Sequence, residues 1–220
     1  MPVFAEKGLH EYVFRLASEL IASNAQILEL GSGSGAFACR LVDNGYQVTC
    51  CDITAENFGI LENVPFIEAD LNSEFSTQLK NTYDAVIALE IIEHLENPWQ
   101  FLRQIVKLVR PGGTVLISTP NVDTPRSLLS FAKYGHFKYF KDSDAGPGGH
   151  ISPISQWQLV KILERAGLSK IRIEGFGAPW GSGLRHLGAK ITSLLMKKNP
   201  AKFGPIVIGV AERPYSQNDQ

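Results

Sequence analysis

The segment Ile27-Leu-Glu-Leu-Gly-Ser-Gly-Ser-Gly-Ala-Phe37 decides the fold of this chain. An apolar run, three alternating glycines and a helical pattern follow one another, which predicts a strand, a tight loop and a helix. Glycine gives the loop backbone conformations that other residues avoid, and it lets a ligand approach the main chain closely. The first turn of the next helix offers unpaired N–H groups. The segment therefore predicts a ligand-binding loop between a first strand and its helix.

Short apolar runs alternate with helical patterns on both sides of this loop. The predicted strands are Gln26–Leu30, Gln47–Cys51, Pro65–Glu68, Tyr83–Leu89 and Gly113–Ser118. The predicted helices are 5–22, Gly35–Asn44, Thr54–Glu62, Asn72–Lys80 and Pro98–Val109. This alternation predicts βαβ units around a parallel sheet. The run Ala85-Val-Ile-Ala-Leu is apolar on both faces, as a central strand requires.

The pattern changes after Thr119. We predict helices at Arg126–Tyr134 and Ser155–Ala166, and strands at Lys170–Gly175 and Ile206–Ala211. We interpret 1–220 as a single domain. It has a cofactor-binding core at 25–121 and two substrate or lid segments, at 122–152 and at 176–204.

Composition excludes several classes of protein. The 220 residues include 21 basic and 22 acidic side chains, so the overall basic charge typical of nucleic-acid binding is absent. No apolar run is long enough for a membrane helix, and the N-terminus lacks the apolar core of a signal peptide. We expect a cytoplasmic protein. Cys39, Cys50 and Cys51 form no Cys-x-x-Cys pair, so we expect free thiols without a disulfide or a thiolate zinc site.

Two kinds of cofactor fit the glycine loop. Gly31, Gly33 and Ala36, with Asp52 at the end of the next strand, match a degenerate dinucleotide fingerprint. Glu29, however, precedes the loop, and a carboxylate repels a pyrophosphate but attracts an ammonium or a sulfonium group. The charge favours S-adenosyl-L-methionine (SAM) over NAD. An NAD(P)-dependent oxidoreductase and a non-catalytic SAM-binding module remain the alternatives.

Five segments together resemble the class I SAM-dependent methyltransferases of the small-molecule type, such as the ubiquinone-pathway O-methyltransferases. These segments are ILELGSGSG (27–35), CCDIT (50–54), FIEADL (66–71), YDAVIALEIIEHLENP (83–98) and LVRPGGTVLISTPN (108–121). The resemblance implies a Rossmann-like, doubly wound α/β fold with helices on both faces of a seven-stranded sheet. The implied strand order is 3-2-1-4-5-7-6, with the seventh strand antiparallel.

The resemblance also implies a set of cofactor-binding positions. They are Glu29, Gly31, Ser32, Gly33, Gly35, Asp52, Ile53, Asp70, Leu71, Leu89 and Glu90. The glycine loop would surround the methionine part, with Glu29 near its ammonium group. Asp52 would accept hydrogen bonds from both ribose hydroxyls, and Ile53 would pack on the adenine. Asp70 would accept from the adenine amino group; its alternative role is to cap the turn that follows.

Methyl transfer from a sulfonium is an in-line displacement with a neutral leaving group, so positioning supplies much of the rate. An oxygen nucleophile also needs a general base, and histidine suits that role. His94, just past the fourth strand, and His150, at the end of a glycine-rich loop, are the candidates. Each histidine has a structural role as its alternative. His94 would then lie at the start of a helix, and His150 would anchor its loop through a hydrogen bond. His10, His136 and His186 lie in no motif, so we expect surface or pocket-wall positions.

A metal site is the alternative for the same region. If Glu90-Ile-Ile-Glu93-His94 is helical, its two carboxylates and its imidazole share one face, and His150 would be a fourth ligand. Such a cation would deprotonate a diol or a catechol. The pattern resembles that of small-RNA 2′-O-methyltransferases and ubiquinone-pathway O-methyltransferases. Many methyltransferases that use no metal have a similar Glu-His pair, so we expect cofactor-lining roles and no metal.

The variable segments should select the acceptor, which we expect to be a small molecule methylated at oxygen. Residues 131–151 combine aromatic side chains with lysines, which suits a planar or anionic substrate or a lid that packs on itself. A basic amphipathic helix is predicted near Leu184–Lys198. Residues 184–202 would then contact an anionic membrane surface, cover the sheet edge or form a dimer contact. The chain would be a monomer or a homodimer.

Overall fold

The computed structural model describes residues 7–59, 64–146, 148–177 and 204–215. Seven strands form one sheet in the order β3-β2-β1-β4-β5-β7-β6. The strands are β1 (Gln26–Leu30), β2 (Gln47–Asp52), β3 (Phe66–Glu68), β4 (Tyr83–Leu89), β5 (Val109–Pro120), β6 (Ser169–Phe176) and β7 (Ile206–Glu212). The first five pair in parallel, whereas β7 runs antiparallel to both β5 and β6. The predicted fold and strand order are confirmed.

The helices lie between these strands. They are α1 (Leu9–Leu20), α2 (Ala36–Asp43), α3 (Ser76–Leu79), α4 (Pro98–Leu108), α5 (Pro125–Tyr134) and α6 (Gln156–Arg165). The side chains of Asn97, Thr124 and Ser155 accept hydrogen bonds at the starts of α4, α5 and α6. Each cap satisfies a main-chain N–H that the helix itself leaves unpaired.

Two hydrophobic cores lie on opposite faces of the sheet. Along β4, Val86 and Ala88 belong to the core shared with α4 and α6, and Ala85 and Ile87 belong to the core shared with α1 and α2. Alternate residues of a strand point to opposite faces, so both faces of β4 are buried. This explains why residues 85–89 of β4 are all apolar. The carboxyl ends of the central strands lie at one open edge of the sheet.

Two helix predictions are wrong or too long. Within Thr54–Glu62, the described residues 54–59 form turns and no helix. The Thr54 hydroxyl accepts from the Glu56 N–H, and such local side-chain bonds compete with helix formation. The helix predicted over Asn72–Lys80 is reduced to α3, since Asp70 and Ser73 form a side-chain-bonded turn before it. Strand β5 follows α4 directly at Val109, earlier than expected.

Several expectations concern residues 178–203, which lie outside the described residues. They include His186, the basic helix at Leu184–Lys198 and the membrane or dimer contact at 184–202. The division into a core and two lid segments stays a prediction. Cys39, Cys50 and Cys51 are free thiols, as expected. Among the described helices, none has the length and apolar character needed to cross a membrane.

Candidate active site

A cavity of about 490 Å³ lies at the carboxyl edge of the central strands. Its described lining residues are His10, Glu29, Gly31, Ser32, Gly33, Ser34, Ala36, Leu89, Glu90, Glu93, His94, Pro120, Tyr139, Gly148, His150 and Ile206. Open parallel sheets bind ligands at this edge. The cavity brings the glycine loop together with both candidate histidines. The predicted cofactor residues Gly35, Asp52, Ile53, Asp70 and Leu71 lie outside its lining.

The three loop glycines all have left-handed backbones, with φ values of 71°, 51° and 79° at Gly31, Gly33 and Gly35. A Cβ atom on Gly31 would lie 2.7 Å from the Ile91 side chain, and one on Gly35 would lie 2.9 Å from the ring of Phe58. A Cβ on Gly33 would contact nothing within 4 Å. Gly31 and Gly35 are therefore required by packing as well as by backbone conformation, whereas the space beside Gly33 is open to a ligand.

Asp52 holds the loop in this conformation. Its Oδ2 accepts a hydrogen bond of 2.7 Å from the Gly33 N–H, and its Oδ1 accepts one of the same length from the Ile53 N–H. A carboxylate oxygen has two acceptor sites, so each oxygen retains capacity for a further donor. The side chain of Ile53 is 68% exposed, which leaves an apolar surface beside this carboxylate.

Asp70 has the capping role that was its alternative. Its Oδ1 accepts a 2.8 Å hydrogen bond from the Asn72 N–H, and the residue is exposed. Leu71 beside it is buried. A role of Asp70 at the adenine stays a prediction.

Glu29 is a buried carboxyl group at the end of β1. Burial, and then the charge of Asp52, raise its pKa to about 8. Its Oε2 lies 3.9 Å from the Cys50 Sγ. In the protein alone this carboxyl group therefore keeps its proton near neutral pH, whereas a cation bound beside it would favour the ionised form.

The raised pKa of Glu29 implies that the stability of the fold depends on pH. Ionising this group costs more in the folded than in the unfolded chain, so its contribution to stability is lost as the pH rises from about 4.5 to about 8. We expect Glu29→Gln to be more stable than the wild type at pH 9, with a free energy of unfolding higher by roughly 1–4 kcal/mol. Urea unfolding measures the difference. At pH 5 the difference should be small. Glu96→Gln, at an exposed carboxyl, is the control. A gain at pH 5 as large as at pH 9 would contradict the assignment.

The two candidate histidines face each other. Their ring centres lie 4.8 Å apart at an interplanar angle of 77°. The His94 Nδ1 lies 3.1 Å from the Gly149 carbonyl oxygen, and the His150 Nδ1 lies 2.9 Å from that of Tyr139. A carbonyl only accepts, so each Nδ1 donates and each neutral ring keeps its lone pair on Nε2. Burial, and then the His94 charge, lower the pKa of His150, which favours this neutral form.

Glu93 lies beside the histidine pair and is fully buried. Within the described residues, neither carboxylate oxygen accepts a hydrogen bond, and Oε1 lies 4.0 Å from the His94 Nε2. Burial, and then the charge of Glu90, raise the pKa of Glu93. Its main-chain oxygen accepts from the Ile151 and Ser152 N–H groups, both at 2.9 Å. The residue thus anchors the loop that positions His150.

The metal-ligand set that the sequence offered as an alternative forms only in part. In the described part of the chain, one ligand atom each from Glu93, His94 and His150 lie within 4.8 Å of one another. The helical stretch over 90–94 that this alternative required does not form, because the 3-10 turn covers Ile92–His94 alone and Glu90 has a φ of 52°. The Glu90 Oε1 accepts a 2.9 Å hydrogen bond from the Ser118 hydroxyl. Glu90 still lines the cavity, but it is not part of this cluster.

The cavity also contains residues that sequence patterns did not identify. Tyr139 and Ile206 line it, although neither lies in a motif. His10 lines it from α1, with its ring 5.4 Å from that of Phe37. A pocket-wall position was one expectation for His10. His136, by contrast, stacks on Tyr134 outside the lining.

A family model described as a methyltransferase domain matches residues 4–173. The chain belongs to this methyltransferase family. The ubiquinone biosynthesis O-methyltransferase of Vibrio cholerae serotype O1 is 28% identical over 172 residues, which cover 74% of this chain and 68% of that protein. The protein of the same name from Rickettsia typhi is 36% identical over 108 residues, 45% of this chain and 42% of that protein.

Solved structures share the fold of this methyltransferase. A SAM-dependent methyltransferase from Archaeoglobus fulgidus has a TM-score of 0.65 at 19% identity, and the match covers 93% of this chain and 92% of that one. Family membership confirms the resemblance to class I SAM-dependent methyltransferases, and with it methyl transfer as the activity and SAM as the cofactor. The two alternative functions, an NAD(P)-dependent oxidoreductase and a non-catalytic SAM-binding module, are therefore set aside in favour of the methyltransferase.

Proposed function

We propose that this methyltransferase transfers the methyl group of SAM to an oxygen atom of a small-molecule acceptor. One observation supports oxygen as the target. His94 and His150 keep their Nε2 lone pairs in the cavity that also contains the glycine loop. A hydroxyl group is a weak nucleophile until a base removes its proton, and a neutral imidazole supplies such a base at neutral pH. The relatives named as ubiquinone biosynthesis O-methyltransferases agree with this proposal.

The cofactor would lie along the glycine loop. Its ammonium group would be near Glu29, whose carboxyl group ionises more readily beside a cation. Its ribose hydroxyls would donate to Asp52, which the Gly33 N–H already orients. Its adenine would lie against the exposed Ile53. This arrangement directs the sulfonium toward the end of β4, where Leu89 and Glu90 line the cavity.

In the proposed reaction the acceptor oxygen attacks the methyl carbon opposite the sulfur. A C–O bond forms, the C–S bond breaks, and the sulfur becomes a neutral thioether that needs no proton. The hydroxyl proton moves to an imidazole Nε2. The carbonyl oxygens of Gly149 and Tyr139 then stabilise the imidazolium through the Nδ1–H groups.

The proposal is tested by asking which atom receives the methyl group. With isotope-labelled SAM, we expect label to enter phenols and catechols, but not matched anilines or RNA. Phenol against aniline and catechol against o-phenylenediamine are suitable pairs, with the products separated by mass spectrometry. Transfer to nitrogen in preference to oxygen within a pair, or transfer to RNA alone, would overturn the proposal.

A metal-assisted form of the same reaction is the second candidate. Glu93 supports it, because a fully buried carboxyl group beside two imidazoles suits a cation. Glu93, His94 and His150 offer the mixed oxygen and nitrogen ligands that divalent transition metals accept. A cation held there would act as a Lewis acid that lowers the pKa of the acceptor hydroxyl. Activity that survives excess EDTA would exclude this form and leave the histidine base.

A further inference from the structure

Tyr139 and Lys138 form a polar pair at the wall of the cavity. Tyr139 lines the cavity together with His94 and His150. The Lys138 Nζ donates a hydrogen bond to the Tyr139 hydroxyl, and it also lies 3.9 Å from the centre of the ring. Arginine and lysine are absent from the described lining of the cavity. Lys138 therefore places a positive charge against the phenol of a residue that lines the cavity.

The direction of this hydrogen bond determines what the phenol can do. An ammonium group only donates, so the Tyr139 oxygen accepts and the hydroxyl proton remains available. Within the described residues, no hydrogen bond uses that proton. Hydrogen bonds in a chain polarise one another, so donation from Lys138 makes the phenol a stronger donor. The pair is thus suited to bind an oxygen that carries negative charge.

The backbone holds the phenol in place. Tyr139 has a φ of 72°, a conformation that costs a bulky residue energy and is retained where surrounding contacts enforce it. The Lys138 N–H donates to the buried Ser127 hydroxyl at 3.2 Å, and the Tyr139 carbonyl accepts from the His150 Nδ1 at 2.9 Å. One residue therefore orients the candidate base through its main chain and presents a hydroxyl group through its side chain.

We propose that the Tyr139 hydroxyl, supported by Lys138, binds an anionic oxygen of the methyl acceptor, such as a phenolate or a carboxylate. The inference rests on the proposed function, because it defines which acceptors the same cavity recognises. An acceptor with one oxygen at Tyr139 and a second oxygen at the histidine pair would be oriented by two contacts before the methyl group moves.

The experiment uses 4-nitrophenolate as the probe and the full chain saturated with S-adenosylhomocysteine (SAH). A hydrogen bond to the phenolate oxygen moves its absorption band to shorter wavelength, so one titration reports both affinity and contact. We expect Tyr139→Phe to weaken probe binding about 10- to 100-fold and to lose most of the band shift. Lys138→Met should weaken binding about 3- to 10-fold, and the double variant should be no weaker than Tyr139→Phe, since the residues act together.

The neighbouring pair Lys133 and Tyr134 provides a matched control. The Lys133 Nζ lies 4.9 Å from the centre of the Tyr134 ring, but Tyr134 is 62% exposed and does not line the cavity. We expect Tyr134→Phe and Lys133→Met to change probe affinity less than about 2-fold. Tyr139→Phe keeps the main-chain carbonyl that orients His150, so its thermal unfolding should match that of the wild type.

Two results would overturn the inference, and they are distinguishable from failure of the proposed function. The first is absence of probe binding to the wild-type SAH complex. The second is equal affinity and equal band position in the wild type and in Tyr139→Phe. If SAH binds all variants equally by calorimetry, either result removes only the role of Tyr139. If the wild type does not bind SAH, the proposed function fails and this inference fails with it.

Discussion

Asp52→Ala is expected to lower the affinity for SAH by at least about 100-fold, because it removes two contributions at once. The carboxylate would lose its hydrogen bonds with the ribose hydroxyls, each worth about 1.5–3 kcal/mol for a charged partner. The Gly33 N–H would also lose its acceptor, so the loop would no longer be held at the required φ. Isothermal titration calorimetry with SAH measures the loss directly.

Asp70→Ala is the matched control for this change. Asp70 is also an aspartate near the carboxyl end of a strand, but it is exposed, and among the described residues its Oδ1 accepts from the nearby Asn72 N–H. We expect a change in SAH affinity of less than about 10-fold, since a single exposed hydrogen bond contributes little. Equal effects of the two substitutions would show that Asp52 has no special place at the ribose.

His94→Ala is expected to lower kcat/KM for the acceptor by about 10²- to 10⁴-fold, the usual contribution of a general base. The affinity for SAH should stay within about 3-fold, because in the proposed reaction His94 contacts the acceptor and not the cofactor. Labelled SAM and the best acceptor from the phenol series provide the rate. A loss in SAH affinity as large as the loss in rate would place His94 at the cofactor instead.

His136→Ala is the control histidine for this measurement. It lies in the same loop as His150, but it stacks on Tyr134 and does not line the cavity. We expect full activity from this variant.

The pH profile of the wild type gives a second check on the base. Burial and the His94 charge lower the pKa of His150, so its basic form persists to lower pH. The acid limb of kcat/KM should then fall below about pH 6.5, the ordinary histidine pKa. An acid limb well above that value would contradict His150 as the base.

The cofactor half of the site could be predicted from the sequence because it is local. Glu29, the loop glycines and Asp52 lie within two consecutive strands and one loop, and parallel pairing of β1 with β2 brings their ends together. The alternation of apolar runs and helical patterns was enough to predict the strands, since both faces of β4 are buried. The helix expected at Thr54–Glu62 was wrong over 54–59, because side-chain hydrogen bonds that periodicity does not reveal favour turns there.

The acceptor half depended on contacts between residues far apart in the chain. His150 was identified as a candidate by its type, but its tautomer follows from the Tyr139 carbonyl, and its position follows from the bonds between Glu93 and residues 151–152. Tyr139 lies in the segment 131–151 that we expected to select the acceptor, but only the folded loop brings this residue into one cavity with His94 and His150. Short-range sequence patterns encode the alternating strands and helices and the glycine loop, whereas the resemblance to methyltransferases implied the strand order. The side chains that line the rest of the cavity come together only in the folded chain, because loop closure over long sequence separations leaves no periodic signal.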